Sequence, residues 1–208
     1  MSTAHATVAE ATCDWFALGF SHHLSPGHVS EAHLLGHELA LWRPLDGGPA
    51  KAWENRCPHR SLRLSLGFVQ GDQLVCRYHG WRYGRDGRCA GVPSSPDTQA
   101  PPAACVRTYL CHEVDGVLWA SLALTPRGYP PRLPDLVACR SFTFDASGEA
   151  IAAALAVAGS PLPAGHGWQG TDAQGMPWTL LVAPMDTATC QLHVLTHAEA
   201  APAERRRT

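Results

Sequence analysis

The sequence has no run of apolar residues that approaches the roughly 20 needed to span a membrane. Its N-terminus lacks the basic segment and the continuous apolar segment of a signal peptide, and it has no twin-arginine leader. Neither charge is in excess, because 16 Lys and Arg face 18 Asp and Glu, for a net charge of −2. That balance argues against a nucleic-acid-binding surface and against an acidic tail. Together these absences predict a cytoplasmic protein.

Charged residues make up only 16% of the 208 residues and apolar residues 45%, which is enough apolar sequence for a folded core. The even number of cysteines, eight, would allow disulfides. A chain of this size without an export signal makes metal ligands and buried free thiols the better interpretation. The cysteines are Cys13, Cys57, Cys76, Cys89, Cys105, Cys111, Cys139 and Cys190.

Two short Cys/His pairs stand out between Asn55 and Trp81. The first is Cys57-Pro-His59 and the second is Cys76-Arg-Tyr-His79, and 16 residues, from Arg60 to Val75, lie between Cys57-Pro-His59 and Cys76. In a Rieske centre, two cysteines hold one iron of a [2Fe–2S] cluster and two histidines hold the other. Each pair here would give one ligand to each iron. The spacing therefore predicts two neighbouring loops that close over one cluster; a zinc site would more often show Cys-x-x-Cys pairs.

Residues 15 to about 122 resemble the N-terminal Rieske domain of the large subunits of Rieske non-haem iron oxygenases. The resemblance rests on several short motifs besides the Cys/His pairs. They are Asn55-Arg-Cys57-Pro-His59-Arg60, Leu64-Ser-Leu-Gly67, Gly71-Asp72-Gln-Leu-Val-Cys76, Tyr78-His79-Gly80-Trp81-Arg-Tyr83, Asp86-Gly87-Arg88 and Val92-Pro93-Ser94. Ser61-Leu62-Arg63 departs from the pattern, because the family usually has small residues and a proline there.

The resemblance implies that Cys57 and Cys76 ligate the inner iron and that His59 and His79 ligate the outer iron. It places Arg60, Gly80 and Trp81 around these ligands. Neither ligand loop carries the extra cysteine of the respiratory-chain type. Fewer groups around the sulfurs favour a reduction potential of roughly −150 mV rather than about +300 mV. Such a cluster would take electrons from a reductase or a ferredoxin.

Alternating apolar residues and frequent turns predict a many-stranded antiparallel unit over residues 13–125. We expect a mainly β (α+β) chain: a short lead-in (residues 1–12), an antiparallel Rieske-type β-sandwich (13–125), a Pro/Gly-rich linker (126–140) and a shortened catalytic-domain-like α+β segment (141–208). In the last segment, a helix is predicted from Ser147 to Ala158, with Gly159 ending it. Residues 160–175 are predicted to be loop, and strands are predicted around 178–184 and 190–196.

The family's catalytic domain holds a mononuclear iron with two histidines and one carboxylate. No Asp-x-x-His motif occurs after Leu124, so we expect one Rieske cluster and no mononuclear iron in this chain. The one alternative site joins Asp186, His193 and His197, because residues 193 and 197 share a face if they lie in a strand. A polar strand face is the favoured interpretation of these residues.

The sequence thus predicts an electron-transfer component that passes electrons to mononuclear iron on a partner oxygenase subunit, in a homo- or hetero-oligomer of trimer type. Three alternatives remain: a small oxygenase with iron at Asp186, His193 and His197, a structural or redox-sensing subunit, and a truncated gene product. Iron stoichiometry separates the first of these from electron transfer alone. The substrate pocket lies in the shortened part of the family's fold, so the sequence does not indicate a substrate.

Overall fold

The computed structural model describes residues 14–97, 100–162 and 166–197, which form three antiparallel sheets and one α-helix. The prediction of a mainly β chain is confirmed. Cys13 and the predicted lead-in, residues 1–12, lie outside the described residues. Within the described parts of the chain, no helix is both long and apolar enough to cross a membrane.

The first sheet has six strands in the order β1-β10-β9-β4-β3-β2. One apolar core is formed by side chains of this sheet and its connections alone. A second core lies between this sheet and the neighbouring four-stranded sheet. The shared core contains an edge-to-face pair of buried indoles, Trp42 and Trp53. The strands are β1 Phe16–Phe20, β2 Val29–Leu34, β3 His37–Trp42, β4 Lys51–Glu54, β9 Thr108–Val114 and β10 Val117–Ser121.

The second sheet has four short strands in the order β5-β6-β7-β8. The first Cys/His loop lies in the connection from β4 to β5, and the second joins β6 to β7. The residue just before the sheet, Gly67, has no room for a side chain, because a Cβ there would lie 2.2 Å from the Val75 carbonyl oxygen. The strands are β5 Phe68–Gln70, β6 Gln73–Val75, β7 Arg82–Tyr83 and β8 Cys89–Gly91.

The third sheet has five strands in the order β11-β15-β14-β13-β12, with helix α1 (Gly148–Ala158) against it. The Ser147 hydroxyl caps α1 by accepting a hydrogen bond from the Ala150 amide, and the helix ends at Gly159, as the sequence predicts. The strands are β11 Leu136–Phe144, β12 Gly159–Pro161, β13 Gly167–Thr171, β14 Pro177–Pro184 and β15 Cys190–His197.

The prediction of a loop over residues 160–175 is wrong in part, because β12 and β13 lie there. Glycines at 159 and 170 made this stretch look irregular, but they let the Trp178 indole lie directly on the strands. A Cβ on Gly170 would meet the Trp178 ring at 2.5 Å, and one on Gly159 would meet it at 2.8 Å. Similarly, β11 begins at Leu136, so the last five residues of the predicted linker are strand. Pairing with β15 extends the strand into the linker.

The third sheet packs directly on the first. Its buried Leu181 and Leu195 join Trp15 and Trp119 of the first sheet in one apolar core. The tip of the β2–β3 hairpin adds backbone contacts, because the Leu35 amide donates to Pro184 O (2.8 Å) and the Gly36 amide donates to Met185 O (2.7 Å). The two halves of the chain are therefore joined by both apolar packing and hydrogen bonds.

Candidate metal centre

The first Cys/His loop is closed by its own backbone. The Cys57 amide donates to the Leu62 carbonyl (2.9 Å), and the Ser61 amide donates to the Cys57 carbonyl (2.8 Å). Asn55, fully buried, anchors the loop: its Oδ1 accepts from the Ser65 amide (2.8 Å) and its Nδ2 donates to Ser65 Oγ (2.9 Å). The loop is thus held at both ends before any metal binds.

The second loop repeats the same hydrogen-bond pattern. The Cys76 amide donates to the carbonyl five residues on, in Trp81 (2.9 Å), and the Gly80 amide donates back to the Cys76 carbonyl (2.9 Å). The fifth residue of each loop is left-handed, with φ of 69° at Gly80 and 56° at Ser61. Gly80 is also tightly confined, since a Cβ there would lie 3.0 Å from Pro93. Glycine satisfies both requirements at this position.

The two loops bring the four predicted ligands together. The Cys57 and Cys76 thiols are buried, with relative exposures of 3% and 2%, and they contact each other. The rings of His59 and His79 lie 4.7 Å apart between centroids, His59 half-buried and His79 exposed. The site therefore offers two sulfur donors on its inner side and two nitrogen donors on its outer side.

This donor set fits a Rieske [2Fe–2S] cluster. Burial raises the pKa of Cys76, and a bound metal would offset the cost of burying the thiolate. Partial burial, followed by the charges of His79 and Arg60, lowers the pKa of His59 and favours the neutral form that binds metals. Among the described residues, no three His, Cys, Asp or Glu side chains could hold one metal ion.

Comparison with known sequences decides the assignment. Residues 14–109 match the model of the Rieske [2Fe-2S] domain. This part of the chain is a Rieske [2Fe–2S] domain. The oxidoreductase NdmD of Pseudomonas putida is 46% identical over 121 residues, which are 58% of this chain and 20% of NdmD. The oxygenase component of a 3-ketosteroid-9-alpha-monooxygenase from Rhodococcus rhodochrous is 31% identical over 117 residues, which are 56% of this chain and 28% of that protein.

The fold of the whole chain resembles that of NdmA from Pseudomonas putida CBB5. The TM-score is 0.74 at 20% identity, over 95% of this chain and 77% of the NdmA chain. The third sheet, which lies beyond the matched Rieske residues, shares in this likeness of fold. The chain spans between 20% and 28% of the length of the two relatives named above.

Aromatic and charged side chains lie beside the two histidines of the ligand loops. The Trp81 indole stacks on the His59 imidazole, with ring centroids 4.4 Å apart and an interplanar angle of 8°. Arg60 is exposed next to His59, and its charge acts on that ring. Tyr78 packs against His79, with ring centroids 3.8 Å apart. The imidazoles are therefore oriented by aromatic neighbours on two sides.

Hydrogen-bond donors lie next to both sulfurs. The motifs in the sequence did not indicate these donors. The Tyr83 hydroxyl lies 3.1 Å from Cys57 Sγ, and the amides of Tyr78 and His79 donate to Cys76 Sγ. Tyr83 is fully buried, and burial followed by the Cys57 contact raises the pKa of its hydroxyl, so it remains a donor. Tyr83 was not predicted as a donor to a sulfur, and the expectation of fewer such groups than in the respiratory-chain type stays a prediction. The position of Tyr83, four residues after the predicted ligand His79, is the sequence feature that could have indicated this contact.

We predict that Tyr83→Phe lowers the reduction potential of the Rieske centre by about 40–60 mV. The hydrogen bond to a thiolate strengthens when the site gains an electron, and a hydrogen bond is worth roughly 1 kcal/mol. For one electron, 59 mV corresponds to a tenfold change, or about 1.4 kcal/mol. A spectroscopic redox titration of both proteins measures the shift. An unchanged potential would show that the hydroxyl does not act on the sulfur.

His193, one member of the alternative iron site, is fully buried with both ring nitrogens engaged. Its Nδ1 lies 2.8 Å from Ser141 Oγ and its Nε2 lies 3.1 Å from the Ala17 carbonyl oxygen. Burial lowers the pKa of His193 to about 4, so the ring is neutral and donates to the carbonyl. Because Ala17 belongs to β1, this histidine joins the third sheet to the Rieske domain.

The other two members of that alternative site are not brought to His193. One carboxylate oxygen of Asp186 accepts hydrogen bonds from the amides of Ala188 and Thr189 and from the Thr189 hydroxyl, and so forms the β14–β15 turn. His197 is exposed at the end of β15. The prediction of a metal bound by these three residues is not supported by their positions. Spacing within one strand did not reveal that a carbonyl of a distant strand faces His193.

Proposed function

We propose that this chain is an electron-transfer component of an oxygenase-type system. It would accept single electrons from a reductase or a ferredoxin and pass them to mononuclear iron on a partner subunit. Cys57 and Cys76 would hold the inner iron and His59 and His79 the outer iron. When bound, a Rieske cluster supplies one-electron redox chemistry.

The observation that carries this proposal is the opposite exposure of the two donor types. Both thiols lie in the core of the Rieske domain, whereas His79 is exposed and His59 is half-buried. An outer imidazole can donate its second ring N–H to a partner group, which orients the ligand and gives a contact for electron exchange. The closed backbone loops fix the thiols, so the chain can gain or lose an electron without rearranging.

The relationship to oxygenases supports an iron-containing partner. One relative is named as an oxygenase component, and the fold of this chain beyond the Rieske domain resembles that of NdmA. In this chain His193, a histidine of the third sheet considered as an iron ligand, has both ring nitrogens engaged in hydrogen bonds. We propose that the acceptor iron belongs to another subunit in a homo- or hetero-oligomer of trimer type, located in the cytoplasm. Free thiols such as Cys105, which is exposed, suit a reducing compartment.

The proposal predicts two iron atoms and two sulfides per chain, with an electron paramagnetic resonance signal of a histidine-ligated cluster after reduction. The protein would be purified without oxygen and analysed for iron and acid-labile sulfide. Addition of a reductase with its reduced nicotinamide cofactor should reduce the cluster without substrate-dependent oxygen uptake. Three irons per chain with such oxygen uptake would instead establish an oxygenase. An all-cysteine signal would overturn the assignment of the two histidines.

A further inference from the structure

Three exposed arginines lie beside the two outer histidines of the Rieske site. Arg60 follows His59 by one residue in the first ligand loop. Arg77 lies inside the second ligand loop, and Arg82 begins β7 directly after it. We call these three residues the arginine surface. All three are exposed, although the chain as a whole has a net charge of −2.

No carboxylate neutralises the arginine surface within the described parts of the chain. Glu38, whose backbone contacts the first loop at Asn55, is already engaged, because it pairs with both Arg63 (2.6 Å) and Arg56 (3.2 Å). Glu31 also lies 3.7 Å from Arg63. None of the ion pairs among residues 14–97, 100–162 and 166–197 includes an arginine of the arginine surface. The positive charge beside the histidines is thus uncompensated.

Apolar side chains are exposed in the same area. Tyr78, which packs on His79, is 60% exposed, and Phe68 is 51% exposed. Phe68 and Arg82 both pair with Val75, one from each side, and Val75 precedes the ligand Cys76. Because directly paired residues point to the same face of a sheet, Phe68 and Arg82 flank the second loop together. Exposed aromatic residues mixed with arginine are typical of protein interfaces.

We infer that the arginine surface is the docking site for an acidic electron-donor protein. Carboxylates of the donor would pair with Arg60, Arg77 and Arg82, and its redox centre would then face His59 and His79. Electrostatic attraction of this kind raises association rates by about 10- to 1,000-fold at low salt. A donor must bind and leave repeatedly, which suits a small charged contact, whereas permanent subunit interfaces are larger and more apolar. The inference rests on the proposed function, because it names the partner that delivers the electron.

The test uses the complete chain with its cluster in the oxidised state and an acidic plant-type [2Fe–2S] ferredoxin as the probe. A reduced ferredoxin of this type, at about −400 mV, can give one electron to a Rieske centre, which is thereby reduced by one electron. Binding of the oxidised ferredoxin is measured first, by calorimetry, at ionic strengths from about 0.01 to 1 M. The rate of cluster reduction by the reduced ferredoxin is measured next, by stopped flow.

We expect the unaltered chain to bind the ferredoxin at low salt and to lose at least about tenfold in affinity at high salt. The triple variant Arg60→Gln, Arg77→Gln, Arg82→Gln should bind at least about tenfold more weakly at low salt and show little salt dependence. A matched control removes three other exposed arginines, Arg107→Gln, Arg127→Gln, Arg140→Gln, and should stay within about twofold of the unaltered chain.

Equal loss in both triple variants, or binding that salt does not weaken, would overturn the docking site. Reduction of each variant by dithionite, which needs no docking protein, shows separately whether the cluster is intact and redox-active. If dithionite fails to reduce the unaltered chain, the proposed electron-transfer function is wrong, whatever the ferredoxin binding shows. If dithionite reduces every variant and the arginine variant binds ferredoxin as tightly as the unaltered chain does, the function stands and the arginine surface is not the site.

Discussion

Protein carrying His79→Ala is expected to retain less than about a tenth of the cluster iron and sulfide of the unaltered chain. His79 would supply one of only two protein ligands to its iron, and its imidazole is exposed, so water would reach the vacant position. Loss of groups that merely support a metal ligand already costs about 10- to 100-fold in affinity. Iron and sulfide analysis and the visible absorption of the purified protein measure the loss.

The matched control is His28→Ala, because His28 is also an exposed histidine in a connecting segment but lies before β2, away from the ligand loops. It should keep the full cluster. A second variant, His79→Cys, should retain the cluster with a reduction potential at least about 100 mV lower, because a third thiolate brings the ligand set closer to that of all-cysteine clusters, which lie near −400 mV. Full cluster content in His79→Ala would show that this residue is not a ligand.

Gly67→Ala is expected to destabilise the protein by about 2–3 kcal/mol, with a fall in Tm of about 5–10 °C. The added Cβ would lie 2.2 Å from Val75 O and 2.9 Å from Leu64 O, and both are backbone atoms that cannot rotate away. Relief requires moving the β5–β6 hairpin, and Val75 directly precedes the ligand Cys76. We therefore expect faster loss of the cluster on heating as well, followed by its visible absorption.

Gly91→Ala provides the control for this prediction. Gly91 also lies in the four-stranded sheet, but a Cβ there would meet only Arg82 Cδ, at 3.9 Å. Its free energy of unfolding should change by less than about 0.5 kcal/mol. Equal stability of the two variants would mean that the chain at Gly67 can move aside without cost.

Much of the Rieske domain could be predicted from the sequence, because its key signals are local. The spacing of Cys57-Pro-His59 and Cys76-Arg-Tyr-His79 predicts the two loops that the structure brings together. In the C-terminal segment, Ser147 and Gly159 likewise mark the two ends of α1. Each of these patterns acts over a few residues, so the neighbours that matter are visible in the sequence.

The parts that were missed depend on residues far apart in the chain. Strands β12 and β13 form because Trp178 covers their glycines, which no local propensity indicates. His193 was considered as a metal ligand, but its partner is the carbonyl of Ala17, 176 residues earlier. Strand periodicity shows which residues share a face, yet it does not show which other sheet covers that face.

The β2–β3 hairpin has a consequence for attempts to produce the Rieske domain alone. Its tip holds Leu35 in a left-handed conformation (φ 49°), which costs roughly 1–2 kcal/mol for a residue with a side chain. The hydrogen bonds to Pro184 and Met185 hold this tip in place, while the same hairpin, through Glu38 O, accepts from the Asn55 amide at the first ligand loop. Cutting the chain after the first sheet would leave the tip strained and unsupported. Through the β2–β3 hairpin, the C-terminal sheet thus stabilises the position of the first metal-binding loop.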